Sequence, residues 1–326
     1  MPGALWVVAE TTADGSLARL SAEVGTLVRS LGESAGVDVA GVVVATDPSS
    51  AAEELATYVP AVLAVTEPLL ADHVAPTIVA ERLAALIARD EPSFLLLGAG
   101  PDGRDVAGVL QALLGWGSLV NAMATSWEDA GPVVEMSVFG GTLVTRSAFT
   151  ERHGIVTVRP NTVTAEVAPT AGRVVPATVD APLRLPLVPI VDRVAESGAQ
   201  ASIEEARVVV AGGRGVGGPE GFHLVAELAA ELGGAVGATR AAVDSGWINY
   251  AHQIGQTGKT VKPQLYLALG ISGAIQHKVG MQLAETIVAV NRDPDAPLAE
   301  FADLYVVGDL FEVGPALLTA LRARAG

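Results

Sequence analysis

Residues 264–297 read QLYLALGISGAIQHKVGMQLAETIVAVNRDPDAP. The apolar run Leu265 to Leu269 predicts a buried strand. A turn, Gly270-Ile271-Ser272-Gly273, follows it. A short segment then carries Gln276, His277 and Lys278, and a second strand is expected from Thr286 to Val290. It closes at Asn291 on an acidic, Pro-containing loop. Strand, Gly-rich turn, helix start and strand is the grammar of a nucleotide-binding βαβ unit. Ser272 and Gly273 would expose backbone N–H groups where a helix begins, and unpaired first-turn donors there favour an anion.

Working outward, four more blocks share this character. They are GGRG at 212–215, TRAAVDSGW at 239–247, QIGQTGK at 253–259 and VGDLFEV at 307–313. With LYLALGISGAIQH, Gly280-Met281 and IVAVN, they resemble the alpha subunit of electron transfer flavoproteins, in that family's order and at compatible spacing. FGGTLVT at 139–145 and VRPNT at 158–162 resemble its first domain more loosely.

The family's roles carry over only where residues match. The resemblance implies FAD as cofactor. Arg214 matches an arginine near the cofactor phosphates. Thr239 precedes Arg240, which matches an arginine lying against the flavin ring; a buried ion pair with Asp244 is the structural alternative. Gln253, Ile254, Gly255, Gln256 and Thr257 match a loop lining the isoalloxazine, with the Thr257 hydroxyl near N5; a polar turn is the alternative. Ser272, Gly273, Ala274, Ile275 and Gln276 match the pyrophosphate and ribityl turn. His277 matches a histidine near the flavin O2, although a lone His in a turn is commonly structural. Asn291 and Asp309 match the adenosine end, and Leu310, beside Asp309, is expected among the cofactor-binding residues.

The sequence departs from the family at three points. Thr239 stands where serine is usual, which keeps the hydroxyl. Asn249 stands where proline is common, which loosens that loop. GVGGPEG is glycine-rich where many relatives carry Lys-Ser-Gly, which removes a phosphate contact.

The remaining chain predicts alternating strands and helices. Strands are expected at Ala4–Ala9, Val37–Ala45, Ala61–Val65 and Phe94–Leu97, with helices at Leu17–Leu31, Ala51–Tyr58, Thr77–Arg89 and Asp105–Leu114. Phe94 to Leu97 is apolar on both faces, as in a parallel sheet. The glycines at 98, 100 and 103, with Arg104, permit a phosphate cradle. A helix cap with a surface arginine fits them better, since no Lys-Ser/Thr follows. Runs at 133–138, 142–149 and 155–158 predict antiparallel strands attached to the parallel sheet. Prolines are scattered from 166 to 206, where LPLVPIV reads as an extended segment. The domain break is expected near 195–204.

Beyond it, a strand at Arg207–Ala211 and a helix at Pro219–Leu232 flank Gly213, Gly215 and Gly218. These satisfy G-x-G-x-x-G, but about 20 residues on no Asp or Glu appears to meet a ribose. An NAD(H)-using oxidoreductase is therefore disfavoured. The last strand and helix are expected at Leu304–Val307 and Leu310–Arg324.

Composition narrows the function. The 326 residues suffice for two domains. Aromatics are 4% of a chain that is 50% hydrophobic, so the cores must be built from Ala, Val and Leu. A net charge of −16 repels nucleic-acid phosphate. No cysteine is present, which excludes disulfides, thiolate metal sites and a Cys nucleophile, and fits a reducing compartment. The five histidines show no metal-ligand spacing. The start of the sequence, without a basic or long apolar segment, leads us to expect no leader, and no apolar run is long enough to span a membrane.

The fold expected is α/β with two domains, each a mostly parallel sheet flanked by helices. Residues 1–200 would be structural and partner-contacting; residues 201–326 would be a Rossmann-like FAD-binding domain. By the resemblance, the chain would be a cytoplasmic electron carrier paired with a beta subunit, not an enzyme with its own substrate. Its donors would be acyl-CoA or other flavin dehydrogenases and its acceptor a quinone oxidoreductase. A subunit of an electron-bifurcating complex is the alternative.

Overall fold

A computed structural model describes residues 3–129, 131–138, 143–192, 203–204 and 206–325. The chain divides into two compact units, Met1–Val194 and Ala195–Gly326. The expected boundary at 200/201, and residues 139–142 of the FGGTLVT block, lie outside the described residues.

The first unit alternates β1 (Leu5–Ala9), α1 (Arg19–Ala35), β2 (Val39–Ala45), α2 (Ser49–Leu55), β3 (Ala61–Thr66), α3 (Ala75–Asp90), β4 (Phe94–Gly98) and α4 (Pro101–Leu114). It continues with β5 (Ser118–Glu128), β6 (Gly131–Val138), β7 (Leu143–Ala148), β8 (Gly154–Val158) and β9 (Arg173–Pro176). These strands form one sheet in the order β7-β6-β5-β8-β4-β1-β2-β3-β9. Its centre is parallel and buried on both faces. Phe94 and Leu96 enter one core, Leu95 and Leu97 the other.

Two expectations needed correction here. β8 pairs parallel with β4 and β5, so only β5, β6 and β7 make the antiparallel ribbon. β5 itself is an eleven-residue strand beginning at Ser118, well before the expected run at 133. Its register shifts between Ala122 and Ala124, and Asn121 sits at φ +60°. A bulge of this kind breaks the two-residue alternation by which a strand is read.

The second unit is an all-parallel doubly wound sheet. Its elements are β10 (Val208–Gly212), α5 (Gly221–Glu231), β11 (Ala235–Thr239), α6 (Arg240–Asp244) and β12 (Gln253–Ile254). Then come β13 (Leu265–Leu269), α7 (Ile275–Met281), β14 (Thr286–Asn291), β15 (Leu304–Val307) and α8 (Leu310–Ala325). The order is β12-β11-β10-β13-β14-β15. Counted from β10, that is 3-2-1-4-5-6. The winding reverses between β10 and β13, and the crevice beyond the carboxyl ends of those two strands is where such sheets bind ligands. Val209 and Ala211 pack into one core and Val210 into the other, as alternation in a covered strand requires.

Candidate functional site

A cavity of about 600 Å³ opens at this reversal point. Its floor is two glycine turns in contact. Gly213 and Gly215 follow β10, and Gly270 to Gly273 follow β13. A Cβ on Gly215 would stand 2.6 Å from Gly270 Cα, and one on Gly213 would stand 2.8 Å from Ile271 Cα. Neither backbone could yield, so glycine is required for the turns to meet. Gly218, the third glycine of G-x-G-x-x-G, faces open space. The helix is packed instead by Gly221, whose Cβ would lie 2.9 Å from the Val216 carbonyl carbon. The dinucleotide fingerprint is thus matched in letters but not in its third role.

The walls come from the ends of four other segments. The junction of β11 and α6 delivers Thr239 and Arg240, the loop after β12 delivers Gly255, Gln256 and Thr257, α7 delivers Gln276 and His277, and β14 delivers Asn291. Asp244 and Asp293 also line the space. Among the described residues, the N–H groups of Ser272, Gly273 and Ala274 donate to no backbone carbonyl. The Thr239 hydroxyl is buried and has no hydrogen-bond partner among the described residues. A buried hydroxyl in that state is costly and marks a place where something polar belongs.

Charge in the cavity is mixed. Arg214 is exposed and forms no ion pair with a described residue. Arg240 Nε pairs with Asp244 Oδ2 at 3.1 Å, an i,i+4 contact along α6. The pair anticipated as an alternative to a cofactor role does form, but it is not buried: the side chains are 66% and 61% exposed.

Thr257 is held from beneath. The Gln253 amide Nε2 donates both to its carbonyl at 3.1 Å and to its Oγ1 at 3.2 Å. The Thr257 hydroxyl, accepting there, keeps its own hydrogen to donate elsewhere. Tyr250 also donates to the Thr257 carbonyl, at 2.6 Å. Asn249 does not leave this loop slack: its Oδ1 accepts from Ala251 N at 2.8 Å and caps the turn at Tyr250–His252.

His277 is 6% exposed and both of its ring nitrogens are used. Nδ1 lies 3.0 Å from the Ile254 carbonyl and Nε2 lies 2.9 Å from the Tyr266 hydroxyl. Burial lowers its pKa to about 4, so the ring is neutral at physiological pH. His277 therefore brings no positive charge to the cavity.

Four of the expected site residues stand outside the lining. Gln253 is buried beneath Thr257, and Ile275 projects into solvent. Leu310 lies in the core of the second unit. The Asp309 carboxylate accepts from Phe311 N at 2.9 Å, capping α8, and pairs with Arg292. Asn291 lines the cavity, but its Nδ2 donates to the Ile271 carbonyl at 2.9 Å and its Oδ1 accepts from Asp293 N at 3.2 Å. Asp293 was not expected at the site, although it sits inside the signature stretch, and Ile271 was read only as part of the glycine turn.

The glycine turn of the first unit is different. The Glu10 carboxylate lies against it, 3.1 Å from where a Cβ on Gly98 would stand and 3.2 Å for Gly100. A carboxylate at that position repels phosphate. Arg104 turns back to the Gly100 carbonyl, at 3.3 Å. Both observations agree with a helix cap, not a cradle.

Comparison with known proteins bears on this geometry. Residues 202–282 match the family model described as the electron transfer flavoprotein FAD-binding domain. Residues 5–183 match the electron transfer flavoprotein domain. The chain is 44% identical over its whole length, and that of the relative, to an electron transfer flavoprotein subunit alpha of Mycobacterium leprae. It is 36% identical to the subunit of that name from Bacillus subtilis, over 93% of each chain. It is also 38% identical to Protein FixB of Azotobacter vinelandii, over 75% of this chain and 69% of that one.

Proposed function

Because the chain belongs to the electron transfer flavoprotein alpha-subunit family, we propose that it is one half of a heterodimer, holds FAD in the cavity of its second unit and carries electrons between redox partners. The observation that supports this most is the convergence of motif residues from six segments on one cavity, around a buried Thr239 hydroxyl that lacks a partner among the described residues. The residues present fit a large, anionic, partly aromatic group. Backbone N–H groups of Ser272 and Gly273, with Arg214, would hold its phosphates. Thr257, Gln256 and Arg240 would meet the flavin, and Asn291 would stand toward the adenosine.

FAD supplies the redox chemistry when bound; the protein sets its orientation, exposure and potential. A reduced flavin held here would carry added negative charge. Arg240 and the Thr257 hydroxyl would stabilise that charge without rearranging, as fixed donors do at an oxyanion site. Asp244 opposes Arg240, so the field is trimmed rather than maximal. Among the described residues no group of three or more His, Cys, Asp or Glu could hold a metal.

The finer parts of the proposal follow the family. The partner is a beta subunit. The donors are flavin dehydrogenases, such as those acting on acyl-CoA, and the acceptor is a quinone oxidoreductase. Among the described residues no helix is long and apolar enough to cross a membrane. The cytoplasm is the proposed location, to be checked by fractionation. Residues 1–200 are proposed to be structural and to contact the partner.

The test is co-expression with a beta subunit and an absorbance spectrum of the purified complex. One FAD per heterodimer with AMP bound supports the carrier. A second FAD would move the complex to the bifurcating class. Absence of flavin from a folded complex would refute the proposal.

A further inference from the structure

We propose that Tyr266 is a positioning residue for His277: its buried hydroxyl donates to Nε2 and holds the ring in the cavity wall as the neutral Nδ1–H tautomer. The tautomer follows from the partners. The Ile254 carbonyl can only accept, so Nδ1, 3.0 Å away, must carry a hydrogen. In a neutral ring Nε2 is then an acceptor, and the Tyr266 hydroxyl at 2.9 Å must be its donor. Tyr266 is fully buried in β13, and burial raises its pKa well above the usual value, so the hydroxyl keeps its hydrogen.

The pair is tied into the backbone on both sides. Gly255 follows Ile254, and a Cβ on it would lie 2.8 Å from the Gln276 carbonyl oxygen. The loop after β12 and the start of α7 are therefore pressed together where His277 bonds across. The ionisable groups sharing the cavity lining with His277 are Arg214, Arg240, Asp244 and Asp293. Lys278, its neighbour on α7, is turned over the Phe301 ring, 4.3 Å from the centroid. Burial, not any of these charges, keeps the imidazole neutral.

Two consequences follow. His277 can bond the cavity contents through a ring nitrogen only by giving up Tyr266 or Ile254. Positive charge in the cavity is left to the arginines, and the potential of a bound flavin should not vary with His277 ionisation between pH 5 and 8. This second consequence rests on the FAD proposal above; the tautomer does not, so each can fail alone.

The test uses the complex with the beta subunit, its histidines labelled with 15N. The His277 signals are assigned by their loss in His277→Gln. In wild type at pH 7, Nδ1 should be protonated and Nε2 unprotonated. Tyr266→Phe keeps the ring and removes only the hydroxyl, and the His277 pKa should then rise by about one unit. The flavin potential of that variant should gain a pH dependence that wild type lacks. An Nε2–H tautomer or an imidazolium in wild type at pH 7 overturns the proposal. So does an unchanged His277 titration in Tyr266→Phe. If that variant does not fold, the wild-type tautomer decides alone.

Discussion

Arg240 and Asp244 pair at 3.1 Å on the rim of the cavity, with side chains 66% and 61% exposed. An ion pair that wet contributes little to stability. Its two members should therefore be separable by what they do to a nearby charge. Removing the cation should lower the potential of a bound flavin, because reduction adds negative charge. Removing the anion should raise it. Exposed charge interactions are worth roughly 0.2–1 kcal/mol, and about 1.4 kcal/mol corresponds to about 59 mV for one electron, so Arg240→Ala should lower the first couple by roughly 10–40 mV. Asp244→Asn should shift it upward. Spectroelectrochemical titration at matched flavin occupancy reads both. Shifts of the same sign would remove Arg240 from the flavin field.

Gly213 and Gly218 belong to one sequence pattern but meet different surroundings. A methyl at 213 would press on the backbone of Gly270 and Ile271, whereas one at 218 would meet nothing. Gly213→Ala should cost about 1–3 kcal/mol through overpacking and reduce the flavin retained on purification. Gly218→Ala should change stability by no more than about 0.5 kcal/mol and retain flavin. Chemical denaturation and the flavin-to-protein absorbance ratio give the comparison. Equal losses in the two variants would contradict the contact across the reversal point.

Thr239 should show opposite signs in the presence and absence of cofactor. Its hydroxyl is buried and without a partner among the described residues. In the flavin-free complex Thr239→Val should be neutral or stabilising by up to about 1 kcal/mol, since an unmet polar atom is removed. In the loaded complex the variant should bind FAD more weakly than wild type. Melting temperatures with and without added FAD, and a binding titration, measure the two effects. A variant destabilised without cofactor would place the hydroxyl in a structural role.

Asp309 caps α8 and pairs with Arg292. The Phe311 N–H and then the Arg292 guanidinium hold its pKa below the usual 3.8. A folded-state pKa below the unfolded one stabilises above the unfolded value and is lost as pH falls through the folded one. Asp309→Ala should therefore lower the melting temperature at pH 7, and the difference from wild type should fade as pH falls below about 3.8. FAD affinity at pH 7 should change little, because both carboxylate oxygens are already engaged by the chain. Selective loss of FAD over FMN in this variant would instead return Asp309 to the adenosine.

The turns could be read from the sequence because they are over-determined locally. An apolar run followed by Gly-Ile-Ser-Gly leaves the backbone few ways to continue, and Gly270 and Gly273 do take φ of +61° and +88°. The parallel centre of each sheet was legible for a similar reason: Phe94 to Leu97 has no polar face to leave in water. The ribbon was not legible. Ser118 to Glu128 alternates imperfectly, and its bulge hides the period. The parallel pairing of β8 depends on β4, more than fifty residues earlier, and not on any local signal.

The sequence by itself determined the fold class, the run of strands and helices around each core, and the segments whose glycine turns form the cavity. Tertiary structure decided which side chains of those segments face it. Gln253 and Thr257 belong to one motif, yet one lies beneath the other. Asp309 is spent on Arg292 and a helix end, and Leu310 on the core. His277 is bound to Tyr266 and Ile254, 11 and 23 residues away. Partners that distant meet only once strand order has placed β12, β13 and α7 together. Local sequence sets what a turn can be; hydrogen bonds closed across the sheet set what its side chains are free to do.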